Sequence, residues 1–267
     1  MSLKVDLLII DPQVDFCKPN GALYVEGADD DMKRVAGMIK RLGKKINDIH
    51  VTLDSHHFVD IAHPVFWKDE NGKNPDPFTI INRDDVETAR WVTILPSLQK
   101  RALDYVRQLE ANGRYPLCIW PPHCLIGSSG HAVHPELFEE LVAWERDKLM
   151  TIDYVTKGSN PYTEHYSAVK ADVPDPSDVG TQMNIDLVRP LKEVDMIGVM
   201  GEAGSHCLAN TARDIADEFG DDSYVKKIVL IENGTSPVTG FENLYEDFKK
   251  DMVARGMQIS NTQDFLA

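Results

Sequence analysis

Short apolar runs alternate with amphipathic stretches along almost the whole 267-residue chain. Val5–Asp11, Ile49–Asp54, Leu117–Trp120, Met150–Thr156, Met196–Gly201, Lys227–Glu232 and Met257–Ser260 read as strands, the continuous apolar runs among them as buried ones. Between them, apolar residues three and four apart predict helices over Asp29–Lys45, Leu95–Asn112, His134–Asp147, Asn184–Lys192, Ser205–Glu218 and Gly240–Arg255. Val35, Met38, Ile39 and Leu42 share one face of the first, and Leu98, Ala102, Val106 and Leu109 one face of the second. Strand–helix alternation of this kind predicts an α/β fold, a parallel sheet with helices on both faces. The alternation breaks at Trp67–Asp85, where a polar Pro/Gly/Asn cluster predicts a surface excursion, either a lid or a plain insertion. No repeat or low-complexity segment interrupts it elsewhere, so the chain reads as one domain, 1–267, carrying an excursion.

Open parallel sheets bind ligands beyond the carboxyl ends of their strands. Three reactive side chains fall there: Asp11 closes the first strand, Lys157 closes Met150–Thr156, and Cys207 follows Met196–Gly201 across a short turn. A carboxylate, an ammonium and a thiol supply a base, a charge tuner and a nucleophile, the composition of a cysteine amidohydrolase site. In Gly201–Cys207 the small residues permit a sharp turn, with Gly204 or Ser205 available to cap the next helix. Cys207 then lies in the first helical turn, where free N–H groups favour a thiolate and an oxyanion. Each residue also has a bland reading, Asp11 as a turn Asp before Pro12 and Lys157 as a solvated strand end. Cys118, inside an apolar run, reads as a small buried hydrophobe.

A second cluster has metal-ligand character. Asp54 and His56 are two apart at a strand end and project to one side; His63 follows in the adjoining loop, and His123 leaves a Trp-Pro-Pro turn. One carboxylate with two or three imidazoles suits Zn²⁺, Fe²⁺ or Mn²⁺. The alternative is hydrogen-bonded loop histidines, and His57, His131, His134 and His165 are assigned to that role.

Charge narrows the partners. Twenty-eight basic against 43 acidic residues give a net −15, which repels nucleic-acid phosphates. No apolar stretch reaches the roughly 20 residues of a membrane span, and no export leader is evident, so a cytoplasmic protein is expected. Four cysteines (Cys17, Cys118, Cys124 and Cys207) are too sparse for a disulfide scaffold and are expected to be reduced.

The segment Leu8-Ile9-Ile10-Asp11-Pro12-Gln13-Val14-Asp15-Phe16-Cys17 resembles the Asp-x-Gln-x-Asp-Phe opening of the isochorismatase-like cysteine hydrolases, the nicotinamidase branch above all. Asp54, His56 and His63 resemble that branch's metal motif, and Trp120–Cys124 its Trp-Pro-Pro-His-Cys segment. Lys157-Gly158 with Tyr166-Ser167 and the Gly201–Cys207 loop are similar to its remaining motifs, so the likeness runs from residue 5 to about 240. The resemblance implies a three-layer α/β/α fold with a central, mostly parallel six-stranded sheet. It implies an Asp11–Lys157–Cys207 triad, an oxyanion hole from the Ala203 and Cys207 N–H groups, and a cis peptide joining Glu202 to Ala203. It further implies one divalent ion, zinc first with iron or manganese as alternatives, on Asp54, His56, His63 and His123. Phe16 and Trp120 would flank a substrate ring, and the protein would be a homo-oligomer. The implied activity is hydrolysis of nicotinamide or a similar small amide to the acid and ammonia through a Cys thioester. Hydrolysis of another amide, ureido or carbamoyl compound is the alternative, followed by a non-catalytic metal-binding interaction protein.

Three departures bear on substrate. About fifty residues (64–116) are inserted before the Trp-Pro-Pro-His segment, Ser159–His165 lengthens the connection after the lysine, and Glu202 replaces an expected apolar residue. A carboxylate at 202 either charges the pocket or points away from it.

Overall fold

The strands Val5–Ile10 (β1), Asp48–Asp54 (β2), Asp153–Lys157 (β3), Met196–Gly201 (β4), Ile228–Ile231 (β5) and Gln258–Ser260 (β6) form one six-stranded sheet in the computed structural model, which describes residues 3–113 and 115–267. Every neighbouring pair is parallel, and the order across the sheet is 3-2-1-4-5-6. Helices Ala28–Leu42 (α1), Gln99–Asn112 (α2), Pro135–Lys148 (α3), Ile185–Glu193 (α4), Cys207–Phe219 (α5) and Glu242–Arg255 (α6) connect or flank them. α1 packs against α3, while α5 lies beside α4 and α6. Right-handed crossovers in the two directions from β1 put these groups on opposite faces, giving three layers. With both faces covered, all six residues of β1 are buried, as its unbroken apolar run requires.

The amphipathic pattern sets the helix faces. Met32, Val35, Ala36, Met38, Ile39 and Leu42 of α1 are buried, Asp29, Asp30 and Asp31 occupy its first turn, and Lys40 and Arg41 its last. That charge order complements the helix dipole.

The structure corrects several expectations. The strand expected over Met150–Thr156 is Asp153–Lys157; its first four residues are not buried, because β3 is an edge strand. Leu117–Cys118 is outside the main sheet and pairs antiparallel with Ile80–Ile81. The stretch Trp67–Asp85 is only partly a surface excursion: Trp67, Ile81 and Asp85 are buried, and the Trp67 indole N–H donates to Ile61 O at 2.7 Å. A second two-residue ribbon joins Trp67–Lys68 to Val92–Thr93, and a short helix, Arg83–Glu87, is closed by an Asn82–Asp85 capping box. The sequence pattern missed these because two-residue strands and single-turn helices carry no period to detect.

The strand order reverses at β1, between β2 and β4, so the crevice of a doubly wound sheet opens beyond the ends of β1 and β4. Gly201 lets the chain leave β4 there: its φ is +109°, and a Cβ would stand 2.1 Å from Ile10 O.

Candidate active site

Asp11, Lys157 and Cys207 meet in that crevice. The Lys157 ammonium is 2.9 Å from Asp11 Oδ2, 3.1 Å from Asp54 Oδ1 and 3.6 Å from Cys207 Sγ, and it donates to His165 O at 3.0 Å. All four side chains are buried. Parallel register brings them together: Ile10 lies beside Gly201, and Asp54 beside Lys157. Gly158 follows at φ +83°, where a Cβ would sit 2.7 Å from Asp54 Oδ1, so only glycine leaves room for that carboxylate.

Asp11 is held in a left-handed conformation, φ 41°, which a side-chain-bearing residue adopts only under local constraint. Thr52 supplies it. The Thr52 hydroxyl accepts from the Asp11 N–H at 2.9 Å and donates to Asp11 Oδ1 at 2.5 Å. The Asp-x-Gln-x-Asp motif also does structural work. Gln13 donates to Asp54 O at 2.7 Å and accepts from the Asp54 N–H at 2.7 Å, while Asp15 accepts from the Cys124 N–H at 2.7 Å.

The electrostatics divide the two carboxylates. Burial opposes charge on Asp54, but His56 and Lys157 outweigh it and hold the group well below the ordinary range. Burial raises Asp11; Lys157 opposes and Asp54 reinforces the shift, so Asp11 is the more basic of the pair. Burial works against charge on Lys157 as well, yet Asp11 and Asp54 keep it well above its usual value. Burial pushes the Cys207 thiol far up, with Lys157 pulling it back. Cys207 is therefore a thiol at rest, beside a raised carboxylate able to take its proton.

Cys207 opens α5, and the residue at the helix cap is His206, not Gly204 or Ser205. Ser205 is used otherwise: its hydroxyl accepts from the Val238 N–H at 3.0 Å and lies 2.9 Å from His206 Nδ1. Among the described residues, neither the Ala203 nor the Cys207 N–H donates to a protein acceptor. The peptide between Glu202 and Ala203 is cis. Glu202 itself is fully buried and absent from the cavity wall, so it points away from the pocket.

The cavity is walled by Phe16, Trp120, Tyr166, His206, Ala203 and Cys207, with Asp54, His123 and Glu164 at its polar side. The Trp120 indole donates to the Tyr166 hydroxyl at 3.0 Å, fixing the ring's tilt. Glu164, missed in the sequence, has an Oε2 buried without a partner, and burial raises its carboxyl to about 8. His206 was missed too; burial lowers it to about 4, keeping the ring neutral. The only sequence signal for either was proximity to Lys157 or Cys207.

Asp54, His56 and His123 offer ligand atoms that all lie within 4.8 Å of one another. The His63 ring centroid is 5.2 Å from that of His56 and 5.6 Å from that of His123, and its Nε2 is buried with no partner. Each imidazole uses Nδ1 outward, toward Asp60 (3.1 Å), Phe58 O (3.2 Å) and Pro121 O (2.8 Å) respectively for His56, His63 and His123. That leaves Nε2 as the inward atom, the arrangement second-shell acceptors impose on metal-ligating histidines. The donor set fits a divalent metal ion.

The remaining histidines behave as expected of loop residues. His131 lies 2.8 Å from Ser55 Oγ, His134 is 2.9 Å from Asp29, and the Gly158 N–H donates to His165 Nδ1 at 3.3 Å. His57 is exposed.

Sheet order, cleft and layers together have the architecture of the isochorismatase-like hydrolases, as the motif resemblance implied. Solved structures that the chain resembles include nicotinamidases and pyrazinamidases. An Acinetobacter baumanii nicotinamidase/pyrazinamidase aligns over 98% of both chains at 20% identity with a TM-score of 0.64. The yeast nicotinamidase bound to the inhibitor nicotinaldehyde covers 96% of this chain and 99% of its own at 18% identity, TM-score 0.67. A Pyrococcus horikoshii pyrazinamidase in complex with zinc covers 97% and 99% at 20% identity, TM-score 0.57. At such identities the likeness establishes the fold. No protein-family model matches the chain, and no curated protein sequence matches it.

Proposed function

We propose that the protein is a metal-containing cysteine amidohydrolase that converts nicotinamide, or a closely similar flat heteroaromatic amide, to the acid and ammonia. The observation that carries this reading is the Lys157 ammonium lying between Asp11 (2.9 Å) and Cys207 (3.6 Å) at the wall of an aromatic cavity. Asp11, the more basic carboxylate, takes the thiol proton as sulfur attacks the amide carbon. Lys157 stabilises the negative charge that passes from carboxylate to sulfur. The Ala203 and Cys207 N–H groups receive the oxyanion, and a donor of that kind is worth about 10²–10³ in rate. The tetrahedral adduct collapses as Asp11 returns its proton to the departing amine, leaving a thioester and ammonia. Water, deprotonated by Asp11, then attacks the thioester and frees Cys207 with the acid.

Asp54, His56, His63 and His123 would hold the ion, zinc first, and the chemistry it supplies is Lewis-acid anchoring of a ring nitrogen. Phe16 and Trp120 flank the ring and exclude water from the carbonyl. The Pyrococcus pyrazinamidase in complex with zinc supports a bound metal ion, and the yeast nicotinamidase bound to nicotinaldehyde supports a pyridine-type ligand. The whole chain, including the 64–116 segment, is proposed to work as one hydrolase domain.

The decisive test is ammonia release from a panel of small amides, nicotinamide first, by the wild type and Cys207→Ala. The variant should release none while retaining the metal content of the wild type. Substantial ammonia from it would eliminate covalent catalysis.

A further inference from the structure

Behind the nucleophile loop lies an acid pair that the proposed chemistry does not use. Glu202 and Asp31 are buried and both bond to Ser236, which brings the two carboxyls side by side. Two carboxyl groups share a hydrogen bond only if one holds a proton. Burial raises both groups, but Asp31 is the better stabilised as a charge: it pairs with Arg34 and accepts from the Ser236 hydroxyl at 2.6 Å. The proton therefore goes to Glu202, whose Oε2 accepts from the Ser236 N–H at 3.1 Å and whose Oε1 has no hydrogen-bond partner, leaving it free to carry that proton toward Asp31.

Ser236 joins this pair to the oxyanion loop. Its carbonyl accepts from the Gly204 N–H at 2.9 Å, and two residues on, the Val238 N–H donates to Ser205 at 3.0 Å. Val238, Ala203 and Cys207 all line the cavity. The peptide following Glu202 carries the Ala203 N–H, so the side chain that grips Ser236 belongs to the residue that aims that donor.

We propose that Glu202 is a positioning residue: paired with Asp31 through one shared proton, it holds the 201–207 loop against Ser236 and so aims the Ala203 N–H at the reacting carbonyl. The proposal rests on the amidohydrolase reading for its catalytic consequence. The groups facing Glu202 are Asp31 and Arg34 from α1, Cys17 from the short helix Val14–Cys17, and Tyr245 from α6. One guanidinium among them balances one carboxylate, not two. Burial, reinforced by Asp31, holds Glu202 well above the ordinary carboxyl range, so the pair stays singly protonated at neutral pH. Loss of the proton at alkaline pH replaces a hydrogen bond with repulsion between two buried charges and releases Ser236.

The linkage sign follows. Glu202 is protonated more readily in the folded than in the unfolded chain, so its contribution to stability is complete below the unfolded carboxyl pKa. It is lost as pH rises to the folded one.

The experiment compares wild type, Glu202→Gln and Glu202→Leu. Gln keeps both a donor for Asp31 and an acceptor for the Ser236 N–H without a titrating proton. Kinetics with nicotinamide from about pH 6 to about pH 10 should show a wild-type alkaline fall in kcat at constant KM. Gln should move that fall upward by about one unit or more, whereas Leu should lower kcat about tenfold or more throughout. The wild-type minus Gln infrared difference spectrum should contain a protonated-carboxyl C=O band, since the contribution of Glu164 is common to both proteins and cancels. The melting temperature of wild type relative to Gln should decline from about pH 5 to about pH 9. Wild-type and Gln profiles that superimpose, or a difference spectrum without that band, would overturn the proposal. The infrared and melting measurements need no substrate. A protein that passes both yet hydrolyses no amide keeps the acid pair and rejects the amidohydrolase reading.

Discussion

A carboxylate works as a base only where its geometry is fixed, and in this protein a neutral hydroxyl does the fixing. Thr52 holds Asp11 by both its backbone and its side chain, at 2.9 and 2.5 Å, and is itself fully buried outside the cavity wall. A hydrogen bond to a charged group contributes about 1.5–3 kcal/mol. Thr52→Val, which preserves shape and deletes the hydroxyl, should therefore lower kcat about 10- to 100-fold with little change in KM. Steady-state kinetics checks this, and an unchanged kcat would remove Thr52 from the account. Burial leaves Cys207 protonated at rest, so in the proposed reaction it depends on Asp11 and Lys157 for activation. Residue types at strand ends were legible because strand ends are legible. Thr52 was not, since a threonine within a buried strand looks like any β-branched residue.

The segment 64–116 shows what an element inserted into a parallel α/β fold can do without entering its cleft. None of its described residues lines the cavity. It braces the wall from behind: the Tyr105 hydroxyl accepts from the Glu164 N–H at 3.0 Å, Tyr115 lies 5.2 Å from His206, and Phe78 packs edge-on against Trp120 at 5.8 Å. Between the lid and the plain insertion, this geometry is that of a buttress. Trp67 anchors it to the body, fully buried and bonded to Ile61 O. Trp67→Ala should cost about 3–5 kcal/mol of stability, the usual range for deleting a buried large aromatic side chain. Denaturant melts measure that directly, and a loss under about 1 kcal/mol would show that the anchor is dispensable. The sequence placed the break in alternation correctly and misjudged its nature. Polar residues at 69–77 marked a surface, but Trp67 and Ile81 on either side sink into the core.

At the scale of the whole molecule the question is how a chain carrying a net −15 balances charge at its centre. Asp11 and Asp54 share one buried ammonium, the Nε2 atoms of His56 and His123 lie beside Asp54, and the His63 ring adjoins theirs with its Nε2 unpartnered. A divalent ion that binds only the folded form stabilises it by about 2.7 kcal/mol at 100 times its dissociation constant. For a chain of this size that corresponds to a melting-temperature rise of about 5–10 °C. Calorimetry of chelator-treated protein with and without added zinc should show that rise, and His56→Ala should abolish it together with the bound metal. An identical melting curve with and without the ion would contradict the donor set. No helix among the described residues is long and apolar enough to cross a membrane.

The alternation of strands and helices, the sheet's parallel character and the placing of Asp11, Lys157 and Cys207 at strand ends can all be read along the chain, because periodicity and strand termini are local properties. The meeting of His63 and His123, sixty residues apart, with Asp54 and His56 comes from folding, since strand order and loop path are set by packing across the sheet. Folding also decided the fate of the two glutamates. Glu164 faces the cavity and Glu202 turns from it toward Asp31; the same residue type takes opposite roles because burial and neighbours, absent from a linear sequence, fix where each carboxyl goes.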